Sequence, residues 1–308
     1  MKILISGSLA YDRLMTFRGR FGDHLLPDQL HRINVCFMSD GLVERFGGTA
    51  GNIAFTLALL GETPVILAAA GRDFDGYEAR LRGLGLSLEG IRRLDQEFTA
   101  AAYITTDLDG NQITAFNASA MNHAAGYSAA GEDPRNTLAI ISPGNLGDML
   151  EYSRAFKGLR LPYIFDPGQS ITSWSGGDLE EMITGSDILI CNDYEMELIT
   201  QSTNLTKAQI LERTKAVITT LGEKGSLVSQ FGVETKVPAA QASRVLDPTG
   251  AGDAYRAGLI KGLVMGWDLV EAAKMGATAA SFCVEFMGTQ EHHFTLEEFW
   301  TRHKKNFG

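Results

Sequence analysis

The chain reads as an α/β protein with a mainly parallel sheet, helices on both faces of that sheet, and a small separate β-sheet. Three observations carry this. Short apolar runs alternate with helical patterns through the first two thirds of the chain. A Gly-rich turn, Asp247-Pro-Thr-Gly-Ala-Gly-Asp253, opens a last part that is almost all helical in pattern. Two segments, 14–45 and 98–120, break the alternation.

Taken in order, Ile3–Ile5, Val65–Ala70, Leu138–Ile141, Tyr163–Phe165, Ile188–Cys191 and Ala216–Thr220 are short, continuous apolar runs. Runs of that kind predict strands buried on both faces. Between them, Ala50–Leu60, Phe74–Leu84, Leu146–Phe156, Leu179–Ile183, Tyr194–Thr200 and Lys207–Thr214 carry helical spacing. Strand-helix alternation predicts a parallel sheet. Leu14–Arg45 has scattered polar and aromatic residues and no helical period. Ala100–Thr106 and Gln112–Phe116 flank Asp107-Leu-Asp-Gly-Asn111, which is hairpin chemistry. These two segments predict either a small sheet standing off the main domain or edge hairpins packed on the core. The closing helix is expected over Leu296–His303. No internal repeat or low-complexity tract interrupts residues 1–308, which read as a single domain with the two segments inserted.

At 308 residues the chain can bury a large core, and 44% apolar and 21% charged residues suit a folded soluble protein. A net charge of −10 without a long basic run argues against nucleic-acid or membrane-surface partners. Cys36, Cys191 and Cys283 are odd in number and far apart, which reads as reduced thiols in a cytoplasmic protein. Met1–Gly7 is too short for a secretory leader and reads as a first buried strand. No apolar run approaches the ~20 residues that span a bilayer.

The chemistry concentrates in four strings. Thr249, Gly250, Ala251 and Gly252 can expose backbone N–H groups at a helix start, where anions bind. Asp253 follows in the first helical turn. A carboxylate there repels an anion unless it is present to take a proton. An equally open reading is a Gly-rich turn with Asp as a helix cap. Gly47-Gly-Thr-Ala-Gly-Asn52 precedes another apolar helix. It is either a tight turn or a loop that a ligand approaches closely, with Asn52 offering donor and acceptor. Ser8 and Asp12 follow the first strand, on the side where open α/β sheets bind ligands. Asn192-Asp-Tyr-Glu195 and Thr220-Leu-Gly-Glu-Lys-Gly-Ser226 follow later strands and read equally as a helix start and a hairpin turn.

The whole of 247–264, with 47–60 and 192–195 in order, resembles the PfkB (ribokinase-like) family of carbohydrate and nucleoside kinases. The resemblance implies a ribokinase-like three-layer sandwich with a small β-sheet lid. It implies that Gly250, Ala251 and Gly252 form the hole for the transferring phosphate and that Asp253 is the base. By the same resemblance, Ser8, Asp12, Gly47, Gly48 and Asn52 bind sugar hydroxyls. Asn192 and Glu195 organise Mg²⁺, which keeps several waters. Thr220, Gly222, Gly225 and Thr249 contact ATP, with Ala277 and Ser281 walling the adenine. Many relatives carry Asn where this chain has Ser8, which weakens that contact.

Phe21–His31, Glu44–Gly48 and Asp166–Gln169 look like bacterial adenosine kinases of the family. That likeness implies 5′-phosphorylation of adenosine, with Phe116 and Met121 packing on the purine or simply filling the lid. The expected partners are ATP and a small nucleoside or sugar, and the expected state is a monomer or homodimer. The alternatives are a ribokinase- or fructokinase-type sugar kinase and a noncatalytic nucleoside-binding protein. A dehydrogenase lacks Gly-x-Gly-x-x-Gly after the first strand, and no Walker string is present. His292-His293 is a tempting metal pair, but adjacent side chains diverge.

Overall fold

The computed structural model describes residues 1–25 and 34–308. Part of the string Phe21–His31 therefore lies outside the described residues. The strands are β1 (Lys2–Ser6), β2 (Ala10–Phe17), β3 (Ser39–Gly47), β4 (Val65–Gly71), β5 (Ile91–Leu94), β6 (Ala100–Thr106) and β7 (Gln112–Asn117), then β8 (Thr137–Ile141), β9 (Tyr163–Phe165), β10 (Ile188–Asn192), β11 (Ala216–Thr220), β12 (Ser226–Gln230) and β13 (Val233–Val237). The helices are α1 (Thr49–Leu59), α2 (Asp75–Gly83), α3 (Leu146–Leu159), α4 (Gly176–Ile183), α5 (Asp193–Thr203), α6 (Lys207–Leu211), α7 (Ala251–Val264), α8 (Leu269–Cys283) and α9 (Leu296–Phe307).

Alternate residues of the central strands point to opposite faces, and both faces are apolar. Ile3 and Ile5 of β1 join a core with α1, α2, α7 and α8, through Ile53, Tyr77, Leu259 and Ala272. Leu4, between them, joins a second core with α3, α4, α5 and α6, through Met149, Leu179, Ile199 and Ile210. Helices cover both sheet faces, which makes three layers. A third cluster seats α9 on α8 through Phe299, Phe282 and Phe294.

The large sheet has nine strands in the order β13-β12-β11-β10-β9-β8-β1-β4-β5. β11 to β5 run parallel, and β12 and β13 close the edge as antiparallel strands. Parallel strands send all their carboxyl ends to one edge, and that edge carries the loops after β1, β8, β9, β10 and β11. This is the ribokinase-like α/β fold.

The second sheet has the order β3-β2-β6-β7. The hairpin expected at residues 98–116 is β6 and β7, with Ile104 opposite Thr114. Its turn is held by Asp107, whose carboxylate accepts from the backbone N–H of Asp109 and Asn111. Asp12, which follows β1, stands within β2, opposite Arg45 and Ala102. β2 pairs in parallel with a strand some ninety residues away, and no local pattern signals such pairing. The helix expected over Lys207–Thr214 ends at Leu211.

Candidate active site

The loops at the carboxyl edge and the second sheet enclose a cleft of about 1190 Å³. Ser8, Asp12, Gly48, Asn52, Phe116 and Met121 line it from the side of β1 and the small sheet, and Asn192, Glu195, Thr220 and Gly222 line it from beyond β10 and β11, three and four strands away from β1 in the large sheet. Thr249, Gly250, Gly252 and Asp253 line it as well, and Asp253 meets both sides: Asn52 bonds to it, and Asp166 and Glu195 act on its charge.

The start of α7 is built by its neighbours. The Asp247 carboxylate accepts from Thr249 N at 2.9 Å and from Gly288 N at 2.9 Å, tying the turn to the loop after α8. Gly250 then takes φ 82°, a left-handed conformation that a side chain resists. The N–H groups of Gly252 and Asp253 fall in the first turn, where a helix offers no acceptor. They stand at the positive end of the helix dipole, in the arrangement of a cradle that can take an anion.

Asp253 keeps some surface toward the cleft and is otherwise enclosed. Burial pushes its carboxyl up to about 6, while Arg256 and the Asn52 amide pull it down and Asp166 and Glu195 push it further up. Asn52 Nδ2 donates to Asp253 Oδ2 at 2.8 Å. A carboxylate of that pKa is ionised at neutral pH and basic enough to take a proton during attack.

Beneath the cradle, Arg256 Nη2 donates to Asp166 Oδ1 at 2.6 Å, and Nε lies 2.5 Å from the other oxygen. The pair is almost fully buried; burial alone works against the guanidinium charge, and the carboxylates of Asp166, Asp253 and Glu195 outweigh it and hold the arginine protonated. Arg256 Nη1 lies 2.8 Å from where a β-carbon on Gly252 would stand. Gly252 is thus needed because the arginine comes so close. The guanidinium adds positive charge under the N–H groups.

At the opposite end, Gly48 has φ 87°, and its missing β-carbon lets the chain pass against the carbonyl of Ser8. Ser8 Oγ accepts from Thr49 N at 3.0 Å, so this hydroxyl caps α1 while lining the cleft. Asp12 faces the cleft, its carboxyl pushed up by burial and by Asp247 while Arg45 opposes the shift. Phe116 is half exposed on β7, and Met121 follows it along the wall.

At the other end, Asn192 and Glu195 form a capping box for α5. Asn192 Oδ1 accepts from Glu195 N at 2.7 Å, and Glu195 Oε2 accepts from Asn192 N at 2.8 Å. The helix start and the cleft wall are therefore the same residues. Burial raises the Glu195 carboxyl, which the Asn192 N–H partly offsets.

Some expected contacts lie off the cleft wall. Gly47 sits behind Gly48, its carbonyl accepting from Tyr77 Oη at 2.8 Å. Ala251 starts α7 but does not line the cleft. Gly225 is pressed on β13, where a β-carbon would stand 2.1 Å from the carbonyl of Val237. Ala277 belongs to the core between α8 and the sheet, and Ser281 Oγ donates to Thr278 O at 2.7 Å. His292 is buried, bonded to Thr56 Oγ1 and edge-on to Phe55, while His293 packs on Phe286. The pair does not converge.

Arg256 and Asp166, which line the cleft, and Gln290, which bonds to Asn52, belong to none of the four strings singled out in the sequence. A lone arginine in Ala254-Tyr-Arg-Ala-Gly-Leu-Ile260 is a signal of a buried charge. Gln290, in a loop, carries no such signal.

The family described as pfkB family carbohydrate kinase matches residues 39–295. The chain belongs to this pfkB family. A nucleoside kinase of Methanocaldococcus jannaschii is 35% identical over 264 residues, covering 85% of this chain and 86% of that one. The structure of a Burkholderia thailandensis nucleoside kinase in complex with inosine has a TM-score of 0.87 at 37% identity, covering 99% and 98% of the two chains. The same kinase in complex with ADP-inosine has a TM-score of 0.85 at 39% identity, covering 99% and 96%. These pfkB relatives carry the name nucleoside kinase, so the narrower likeness to adenosine kinases is not what they support. Among the described residues, no helix is long and apolar enough to cross a membrane.

Proposed function

We propose that this pfkB-family kinase transfers the γ-phosphoryl group of ATP to the 5′-hydroxyl of a purine nucleoside, adenosine among them. The observation that carries the reading is the place of Asp253, at the helical anion cradle and between the two ends of one cleft. The Asp253 carboxylate takes the hydroxyl proton, the 5′-oxygen bonds to the γ-phosphorus, and the bond to the β–γ bridging oxygen breaks, so that ADP leaves. The N–H groups of Gly252 and Asp253, with Arg256 below, stabilise the charge on the phosphoryl oxygens.

Mg²⁺ fits here only as an ion held mainly by phosphate and water. Among the described residues, no cluster of three or more His, Cys, Asp or Glu could hold a metal. Glu195 has one oxygen committed to the Asn192 N–H, and its second can orient a metal-bound water. When bound, Mg²⁺ neutralises the β- and γ-phosphate oxygens.

Asp12 accepts the vicinal ribose hydroxyls, and the β2-β3-β6-β7 sheet closes over the base as a lid. The two complexes of the Burkholderia thailandensis nucleoside kinase, with inosine and with ADP-inosine, and the Phe116–Met121 wall support a nucleoside over a bare sugar. The test is ATP turnover on adenosine, inosine, guanosine, cytidine, ribose and fructose with one preparation. A purine nucleoside has the highest kcat/KM, and adenosine exceeds 2′-deoxyadenosine because Asp12 would be left unpaired. Ribose or fructose ahead by about tenfold overturns the reading in favour of a sugar kinase. Binding of nucleosides without any turnover would make it a noncatalytic binding protein.

A further inference from the structure

Gln290, in the loop between α8 and α9, is 1% exposed. Its Nε2 donates to Asn52 Oδ1 at 3.0 Å and to Tyr77 Oη at 2.6 Å. Both ends of this chain of bonds are acceptors only. At one end Tyr77 spends its single hydroxyl hydrogen on the carbonyl of Gly47. At the other, the ionised Asp253 carboxylate takes its hydrogen from Asn52 Nδ2. That leaves the Tyr77 oxygen and the Asn52 carbonyl oxygen in need of donors, and both lie within reach of one point. A nitrogen carrying two hydrogens satisfies both, and the amide of Gln290 supplies it. The loop itself is anchored, since Arg80 Nη2 donates to the Gln290 carbonyl at 2.5 Å.

We propose that Gln290 is a positioning residue for the base: by donating to Asn52 Oδ1, it locks the Asn52 amide with its N–H toward Asp253. The proposal rests on the reading of Asp253 as the base. It follows that Asn52 turns its carbonyl away from the cleft and toward Gln290, so its main partner is the base and not a sugar hydroxyl. It also follows that Asp253 is held by Oδ2, with Oδ1 left for the substrate proton.

The other charged and titratable groups around Asp253 are Arg256 on its own helix, Asp166 after β9, Glu195 on α5 and Cys283 on α8. Around the far end lie Tyr11, Asp12 and Arg80, which act on Tyr77. Of these only Arg80 and Arg256 carry more than one hydrogen to give, and theirs go elsewhere, from Arg80 Nη2 to the Gln290 backbone carbonyl and from Arg256 Nη2 to Asp166.

Substitution of Gln290 by Glu places an acceptor-only carboxylate there. The Asn52 amide then turns its N–H to residue 290 and its carbonyl to Asp253. The base loses a donor and meets an oxygen, and both effects raise its pKa. Gln290→Met removes the donor without adding charge. The experiment is the pH dependence of kcat/KM with ATP and adenosine, from about pH 5 to about pH 9. The acid limb moves up by roughly half to one unit in Gln290→Met and further in Gln290→Glu. kcat falls more than KM rises. Tyr77→Phe keeps Gln290 but removes an acceptor that holds it, and gives a smaller shift in the same direction. It serves as the readout should either Gln290 variant fail to fold.

Asp253→Asn separates the two claims. If it is inactive but the acid limb is unmoved in the folded variants at Gln290 and Tyr77, the relay is overturned and the base stands. If Asp253→Asn turns over normally, the base reading falls and the relay with it.

Discussion

The two ends of the cleft are built differently. The phosphate end rests on α7, where Ala254–Ile260 are all buried and Asp253, Arg256 and Asp166 hold one another inside a three-layer core. The nucleoside end rests on the small sheet, where all six residues of β7 are exposed and Phe116 reaches the cleft from the outermost strand. Charge at the phosphate end is therefore tuned by burial, and its side chains have little freedom. Contacts at the nucleoside end come from surface that only a ligand would cover. On the proposed reading, the core fixes the chemistry and the lid is left to choose the nucleoside. Substitutions in the core should act on rate and stability together, and those on the lid on substrate affinity alone.

The largest break in that contrast is expected at the base. Asp253→Asn keeps shape and an acceptor for Asn52 Nδ2 but cannot take a proton. We predict kcat lower by roughly 10² to 10⁴-fold, with nucleoside affinity unchanged by calorimetry. Near-normal turnover would remove Asp253 from the chemistry.

Next comes the buried pair. Arg256→Leu leaves Asp166 as an uncompensated carboxylate that is 1% exposed. Breaking such a pair from one side costs about 3 to 5 kcal/mol, because the remaining charge has lost its solvation and its partner. A denaturant or thermal melt reads it, and Asp166→Leu in the same chain should recover part of the loss. If Arg256→Leu melts like the parent, the pair is not part of what holds the phosphate end rigid.

How much of this was legible differs by region, for a physical reason. The large sheet writes itself into the sequence, because strands buried on both faces must be apolar throughout. β9 at Tyr163–Phe165 and β11 at Ala216–Thr220 match the expected runs residue for residue. The Gly-rich turns show because positive φ at Gly48 and Gly250 excludes side chains. The small sheet shows in segments 14–45 and 98–120, but the bounds of β2 and β3 do not, since a half-exposed strand such as Ala10-Tyr-Asp-Arg-Leu-Met-Thr-Phe17 mixes polar and apolar residues. The relay through Gln290 joins residues from three distant stretches of chain. Only the folded chain brings them together.

A smaller effect is the pH dependence of stability at the base. Asp253 has its folded pKa raised to about 6, above the ordinary carboxyl value of 3.8. Between those values the folded state holds the proton more tightly than the unfolded chain. Stability from this group is therefore lost as pH rises through the window, and above about 6 the full cost is present. Asp253→Asn removes the cost, so it should be more stable than the parent at pH 7 by on the order of 3 kcal/mol, and hardly at all at about pH 4. The difference between the two proteins is the quantity to measure. Asp247 and Glu285, whose carboxyls are held low by hydrogen bonds, run the opposite way in both proteins. Equal stability at the two pH values would mean that burial does not strain the base, and the contrast between the two ends would lose its electrostatic half.

The smallest effect tests the lid. Phe116 is 53% exposed, so truncating it removes little that folding had buried. Surface changes of this kind lie within about 0.5 kcal/mol, and the melt of Phe116→Ala should match the parent. With a nucleoside bound, the same ring loses its water against the base. An aromatic side chain stacked on a base is worth about 1 to 3 kcal/mol. KM for adenosine should then rise by roughly five- to a hundredfold, while kcat holds, because stacking is equal in ground and transition states. KM for ATP should not move if, as proposed, its phosphates bind at the start of α7 and not against β7. A fall in kcat at saturating adenosine would show that the lid does more than bind, and that closing it helps to set the 5′-hydroxyl against Asp253.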